Sequence, residues 1–245
     1  MKLMDRGIML DMRVIFVVVS LFFLVRAQGQ AVWEIPKAEQ EIQLDGFIDE
    51  WPTNLPRLLL SPTSPMIRVT GEFGKEDLSL SLRFLWDSQN LYVAVEWEDD
   101  EWDLKQVRRN KAVWVSPDRR RRDRMHFFDN LKFHIQRSEY DYILWTSPRA
   151  KEQGPFVWQR LLEGVTGMET ATSPPLVTGR FRANKVTMEI MFYWKQLRIK
   201  PKRTMIVPLT LIVADSDLPG GFLESKLNQL KWLEWKGQVK LTASQ

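Results

Sequence analysis

The sequence predicts an all-β chain, an antiparallel β-sandwich with long loops. Three observations predict it. Apolar residues recur at every second position in several segments, turn-forming residues separate those segments, and no stretch sustains helical periodicity over three turns. Period-two alternation sends one face of a strand to a core and the other to solvent.

The chain has 245 residues, 44% apolar and 27% charged, a globular composition with enough length for one sizeable core. It opens on a short basic segment with Lys2, Arg6 and Arg13. An apolar run from Val14 to Val25 follows, broken only by Ser20, and then the small-residue stretch Ala27 to Ala31. That three-part layout predicts a secretory signal peptide, with residues 1–31 as signal and short N-terminal segment. The run is too short to span a bilayer, which takes about 20 residues. Residues 32–245 then form a single domain, secreted or periplasmic.

Removing residues 1–27, which carry four basic and two acidic side chains, takes the formal charge from +4 to +2. So small a balance gives no case for nucleic-acid binding. Cysteine is absent, which excludes disulfides, a thiol nucleophile and a thiolate metal site.

The strands read in order. Leu78, Leu80, Leu82 and Phe84 form the first strong row, and Leu91, Val93, Val95 and Trp97 the second. Asp87-Ser88-Gln89-Asn90 between them reads as a tight hairpin turn. Leu131, Phe133 and Ile135 form a third row, with His134 on its polar face. Val186, Met188, Ile190 and Phe192 form a fourth, and Val207, Leu209, Leu211 and Val213 a fifth. Trp194 to Leu197 reads as one short turn. Residues 99–124 are highly charged, and residues 138–178, with Ser147-Pro148, Gly154-Pro155 and Ser173-Pro174-Pro175, read as loop.

Several segments resemble, in order, the family 9 carbohydrate-binding modules, within the wider group of DOMON-like sandwiches. Leu44-Asp45-Gly46-Phe47-Ile48-Asp49-Glu50-Trp51 is similar to their opening signature, and Phe84 to Val95 to their central hairpin. Phe128 to Ile135 resembles the next strand, Met188 to Leu197 a late segment, and Val213 to Asp217 with Gly237 to Leu241 the close. The residues carry a local reading as well: Gly46 suits a conformation other residues resist, Asp45 and Asp49 can cap the turn around it, and Trp51 is an apolar plug.

The resemblance implies a non-catalytic glycan-binding protein, acting alone or beside a glycoside hydrolase or envelope complex. A flat indole covers the apolar C–H face of a sugar while polar groups bond its hydroxyls. Eleven Trp are present. In such modules one stacking ring precedes the strand-opening aspartate, here the place of His126 and Phe127. The other precedes the last strand, here the region of Trp232 and Trp235. Trp102 and Trp114 are further loop candidates.

The resemblance also implies structural calcium, for which Asp99 and Asp100 in an acidic run are the candidate ligands. A haem-b-binding electron-transfer subunit of the same fold is one alternative, with Met125-His126 in the region of interest and no axial pair assigned. An envelope scaffold without a sugar site is another. The basic run Arg119 to Arg124 has three readings: a solvated loop, an exposed loop open to processing, or a contact for acidic polysaccharide through its guanidinium groups. No Gly-x-Ser-x-Gly, P-loop or His-Glu-x-x-His motif occurs, so no catalytic residue is assigned.

Overall fold

A computed structural model describes residues 32–73, 78–99, 130–135, 140–145, 156–161, 169–170, 175–182, 185–215 and 231–243. The described residues hold strands and turns and no helix. In chain order the strands are β1 (Val32–Ile35), β2 (Leu58–Leu60), β3 (Arg68–Thr70), β4 (Leu78–Trp86), β5 (Asn90–Asp99), β6 (Asn130–Ile135) and β7 (Tyr140–Trp145). They continue with β8 (Phe156–Leu161), β9 (Glu169–Thr170), β10 (Leu176–Arg182), β11 (Lys185–Tyr193), β12 (Ile206–Asp215) and β13 (Lys231–Leu241).

Two sheets form the sandwich. One runs β1-β13-β12-β6-β7-β8-β9, with β3 also on β13, and the other runs β10-β11-β5-β4-β2. Only the β1–β13 pairing is parallel among these described ladders. The second edge of β13 is taken by β3 at Trp232–Glu234 and by β1 at Gln238–Leu241, so two short strands cover one long edge.

The five alternating rows of the sequence are β4, β5, β6, β11 and β12, and their apolar sides meet in one core. Phe133 of β6 and Phe192 of β11 face each other from opposite sheets, ring centroids 5.3 Å apart and tilted by 58°. The residue 138–178 region is not loop throughout: β7, β8, β9 and the start of β10 lie there. Tyr140-Asp141-Tyr142-Ile143-Leu144-Trp145 is aromatic and branched enough to pair with both β6 and β8.

One rule of the sequence reading fails in the β4–β5 hairpin. Leu85, Tyr92 and Ala94 point away from the main core yet are buried. They join Ile42, Trp51 and Leu55 in a second cluster, because residues 36–57 wrap the outer face of that sheet.

The Asp87 turn is as expected. The Asp87 carboxylate accepts the N–H groups of Gln89 and Asn90, both at 2.6 Å, and the Tyr92 hydroxyl at 2.7 Å. Burial and the hydrogen bond to Asp87 push the Tyr92 phenol up to about 12. A phenol held neutral in the fold stabilises it until pH rises through that value, so alkali above pH 10 should erode stability. Absorbance titration at 295 nm is expected to show a tyrosinate step at about pH 12, missing in Tyr92→Phe.

Candidate functional site

Gly46 takes φ +84°, a conformation that favours glycine, and so turns the opening signature back onto the sheet. The Asp45 carboxylate accepts the Phe47 N–H at 2.7 Å, the capping role expected of it. Asp49 forms no such bond among the described residues; its charge acts on Arg83 instead.

The turn is held by a residue to which sequence reasoning gave no role. Glu189 of β11 is fully buried. One carboxylate oxygen accepts the amides of Asp45 at 2.9 Å and Gly46 at 2.7 Å. The other accepts the Trp51 indole N–H at 2.9 Å. Burial pushes the Glu189 carboxyl above the ordinary glutamate range, while Trp51, Gly46 and Asp45 act in the opposite sense. The Asp45–Trp51 signature and Glu189 are therefore one lock between the wrapping segment and the sheet. The sequence signals for Glu189 are an acid on the alternate face of the β11 row and its place within the Met188 to Leu197 segment.

A second polar group crosses the same sheet. Glu96 of β5 meets Lys185 at 2.8 Å, Arg83 at 3.5 Å and Arg57 at 3.7 Å. Burial opposes the charge on Glu96, but Lys185, Arg83 and Arg57 together hold it below the ordinary range. Arg83 is almost wholly buried, so it depends on that partner.

The candidate ligand residues divide three ways. Trp232 stands on the outer face of β13, opposite Ala214 and Thr70, with 36% of its surface exposed. Trp235 is a correction to the sequence reading. Three residues along a strand is an odd step, so Trp235 faces the other way from Trp232 and is fully buried in the core. It presents no face to a ligand. Trp102, Trp114, His126 and Phe127 lie outside the described residues, as do Met125 and the run Arg119 to Arg124.

Four described strand ends share one end of the sandwich. Asp99 ends β5, Asn130 opens β6, Asp215 ends β12 and Lys231 opens β13. Asn130 pairs with Ala214 and Lys231 with Asp215, so these ends sit together. Trp86, at the far end of the β4–β5 hairpin from Asp99, donates its indole N–H to the carbonyl of Thr242, just past β13. Asp99 therefore belongs to the same end of the sandwich as Lys231. Here Lys231 lies over the Phe73 ring at 5.4 Å and against Asp215 at 3.7 Å. Asp99 and Asn130, the nearest described residues before and after Trp102, Trp114, His126 and Phe127 in the sequence, thus lie at the end where Trp232 is exposed.

The calcium expectation finds no described ligand set. Asp99 is buried at the end of β5 and Asp100 lies outside the described residues. Among the described residues no three His, Cys, Asp or Glu side chains converge. His134, on the outer face of β6, is half-buried.

Two concave places occur elsewhere among the described residues. A cavity of about 240 Å³ lies between the wrapping segment and the sheet, lined by Pro36–Gln40, Ile42, Pro52, Asn54, Leu55 and Leu85. No aromatic ring lines it, so it offers no plate for a sugar. A more open groove of about 570 Å³ lies at the loop between β11 and β12.

No protein-family profile matches the chain, and no curated protein matches it. Solved structures do. A family 9 carbohydrate-binding module from Caldicellulosiruptor kristjanssonii in complex with glucose superposes with a TM-score of 0.54 at 11% identity, covering 88% of this chain and 97% of that one. The same organism's family 9 module in complex with cellotriose gives 0.51 at 11% identity, covering 88% and 95%. The chain is thus similar in fold, over most of its length, to the family 9 carbohydrate-binding modules.

Proposed function

We propose that the chain is an exported, non-catalytic glycan-binding protein whose ligand lies at the sandwich end marked by Trp232. The observation that carries this reading is the fold shared with modules described in complex with glucose and cellotriose. An exposed indole at that end supports it, because a large aromatic left in water at a strand end is available to a partner. The exposed indole covers a pyranose C–H face, and loop side chains bond the hydroxyls. Trp102, Trp114, His126 and Phe127 are proposed to complete the platform. Glu189 and the Glu96 cluster are structural and touch no ligand.

Tryptophan-fluorescence titration across a glycan array tests the reading. Saturable quenching by a glucose-containing oligosaccharide is expected. Trp232→Ala should weaken it about fivefold to tenfold, the effect of one lost stacking contact of roughly 1 kcal/mol. The melting temperature of that variant should fall, since the indole is only 36% exposed, so Trp232→Phe, which keeps most of the covered area, is the matched control for folding. No response to any sugar would leave a scaffold role. A Soret band in the purified protein would favour haem instead.

A further inference from the structure

The loop between β11 and β12 carries Lys195, Arg198, Lys200, Lys202 and Arg203, and no acidic residue occurs between Glu189 and Asp215. All five cations are exposed. Four of them, Arg198, Lys200, Lys202 and Arg203, line the groove of about 570 Å³ together with Thr204 and Met205. We propose that this groove is a second glycan site, one that takes an anionic polysaccharide through its carboxylate or sulfate groups.

The loop is built rather than loose. Trp194, Leu197 and Ile199 are sunk into the core and fix every second or third residue, which leaves the cations between them outward. The Ile199 amide donates to the Trp194 carbonyl at 2.9 Å, Met205 to Lys202 at 3.0 Å and Thr204 to the Leu241 carbonyl at 2.7 Å. Arg198 and Thr204 hold φ at +54° and +69°, a backbone cost of order 1 kcal/mol each that the surrounding contacts sustain. Gathering the Lys200, Lys202 and Arg203 charges in one concavity is unfavourable in the free protein and becomes favourable when oxyanions fill it. The guanidinium groups add bidentate geometry that matches carboxylate and sulfate.

The groove's shape and lining choose among polyanions. No aromatic ring lines it, so it lacks the stacking surface that single-stranded nucleic acid uses. A concave groove admits a polymer chain, whereas a bilayer presents a broad plane. The site is also distinct from the proposed neutral-sugar end. Trp232 and Lys240 are at opposite ends of β13, roughly 27 Å apart by strand rise, and Ile206 at the loop's end pairs with Lys240. This proposal therefore stands whether or not Trp232 stacks on a sugar.

Affinity electrophoresis of the full chain in gels containing heparin or polygalacturonate is the test. Both should retard it, and retardation should fade with added salt. The triple variant Lys200→Ser/Lys202→Ser/Arg203→Ser should lose about tenfold in affinity, the combined effect of three exposed charge contacts. Its thermal melting should not change. The variant Arg120→Ser/Arg121→Ser/Arg122→Ser serves as the comparison for the other basic run. Several results would overturn the assignment: no retardation of the parent, unchanged retardation in the Lys200 triple variant, or a loss confined to the arginine-run variant. So would tighter binding to phosphatidylglycerol vesicles or single-stranded DNA, or displacement by inorganic phosphate at matched charge.

Discussion

Replacing Glu189 by alanine is expected to lower the free energy of unfolding by about 3–5 kcal/mol. The carboxylate is fully buried and accepts three N–H groups, two from the backbone and one from Trp51. Removing it strands the buried Gly46 and Trp51 donors at about 1–2 kcal/mol each, while the part-buried Asp45 amide loses less, and it opens a cavity under the wrapping segment. Against a domain stability of about 5–15 kcal/mol that is a large fraction. Glu189→Gln should also destabilise, since its amide nitrogen would face a donor where an oxygen now accepts. Trp51→Phe, which loses the indole donor and little volume, should cost only about 1–2 kcal/mol. Urea unfolding followed by intrinsic fluorescence measures all three. Equal stability of Glu189→Ala and the parent would show that the Asp45–Trp51 turn does not depend on this carboxylate.

The second large effect is expected at Glu96. Glu96→Ala leaves Arg83 buried, with Lys185 and Arg57 nearby and its counter-ion gone. Breaking a pair at a buried charge costs about 3–5 kcal/mol at its most severe, and the residual hydrogen bond from Arg83 to the Ile48 carbonyl at 3.5 Å reduces that to about 2–3. Replacing both charges, as Arg83→Met/Glu96→Leu, should recover most of the loss. Lys185→Ala should matter much less, because that ammonium is about a third exposed.

The two acids respond to pH in opposite senses. Glu96 sits below its ordinary value of 4.5 in the fold, so its contribution is present above that pH and is lost as pH falls through the folded value. Glu189 sits above 4.5, so its ionisation term is complete below that pH and declines as pH rises through the folded value. The gap between Glu96→Ala and the parent should therefore narrow on acidification.

Much of the fold was legible because a buried strand in an antiparallel sheet must alternate. The rows beginning at Leu78, Leu91, Leu131, Val186 and Val207 each appear as a strand. The short or Pro-bounded strands β7 to β10 were not legible, since a strand that owes its existence to neighbours needs little signal of its own. Nor was the buried outer face at Leu85, Tyr92 and Ala94. Its cover comes from residues 36–57, distant in sequence, and period-two alternation does not report what lies on the polar side. The candidate site was legible only as a set of aromatic residues. Trp232 and Trp235 look alike in composition, and only the direction of β13 separates an exposed ring from a buried one. The cations of the β11–β12 loop are not legible as a group, because local sequence marks a turn without saying that its charges share one groove.

Nitrogen-15 NMR of the tryptophan indoles during titration with cellotriose tests the central claim most directly. The account predicts a saturable shift of the Trp232 indole signal, assigned by its loss in Trp232→Phe, while the buried Trp51, Trp97 and Trp235 signals stay in place. A titration in which the Trp232 signal does not move, or in which cellotriose perturbs only signals from the opposite end of the sandwich, would contradict it.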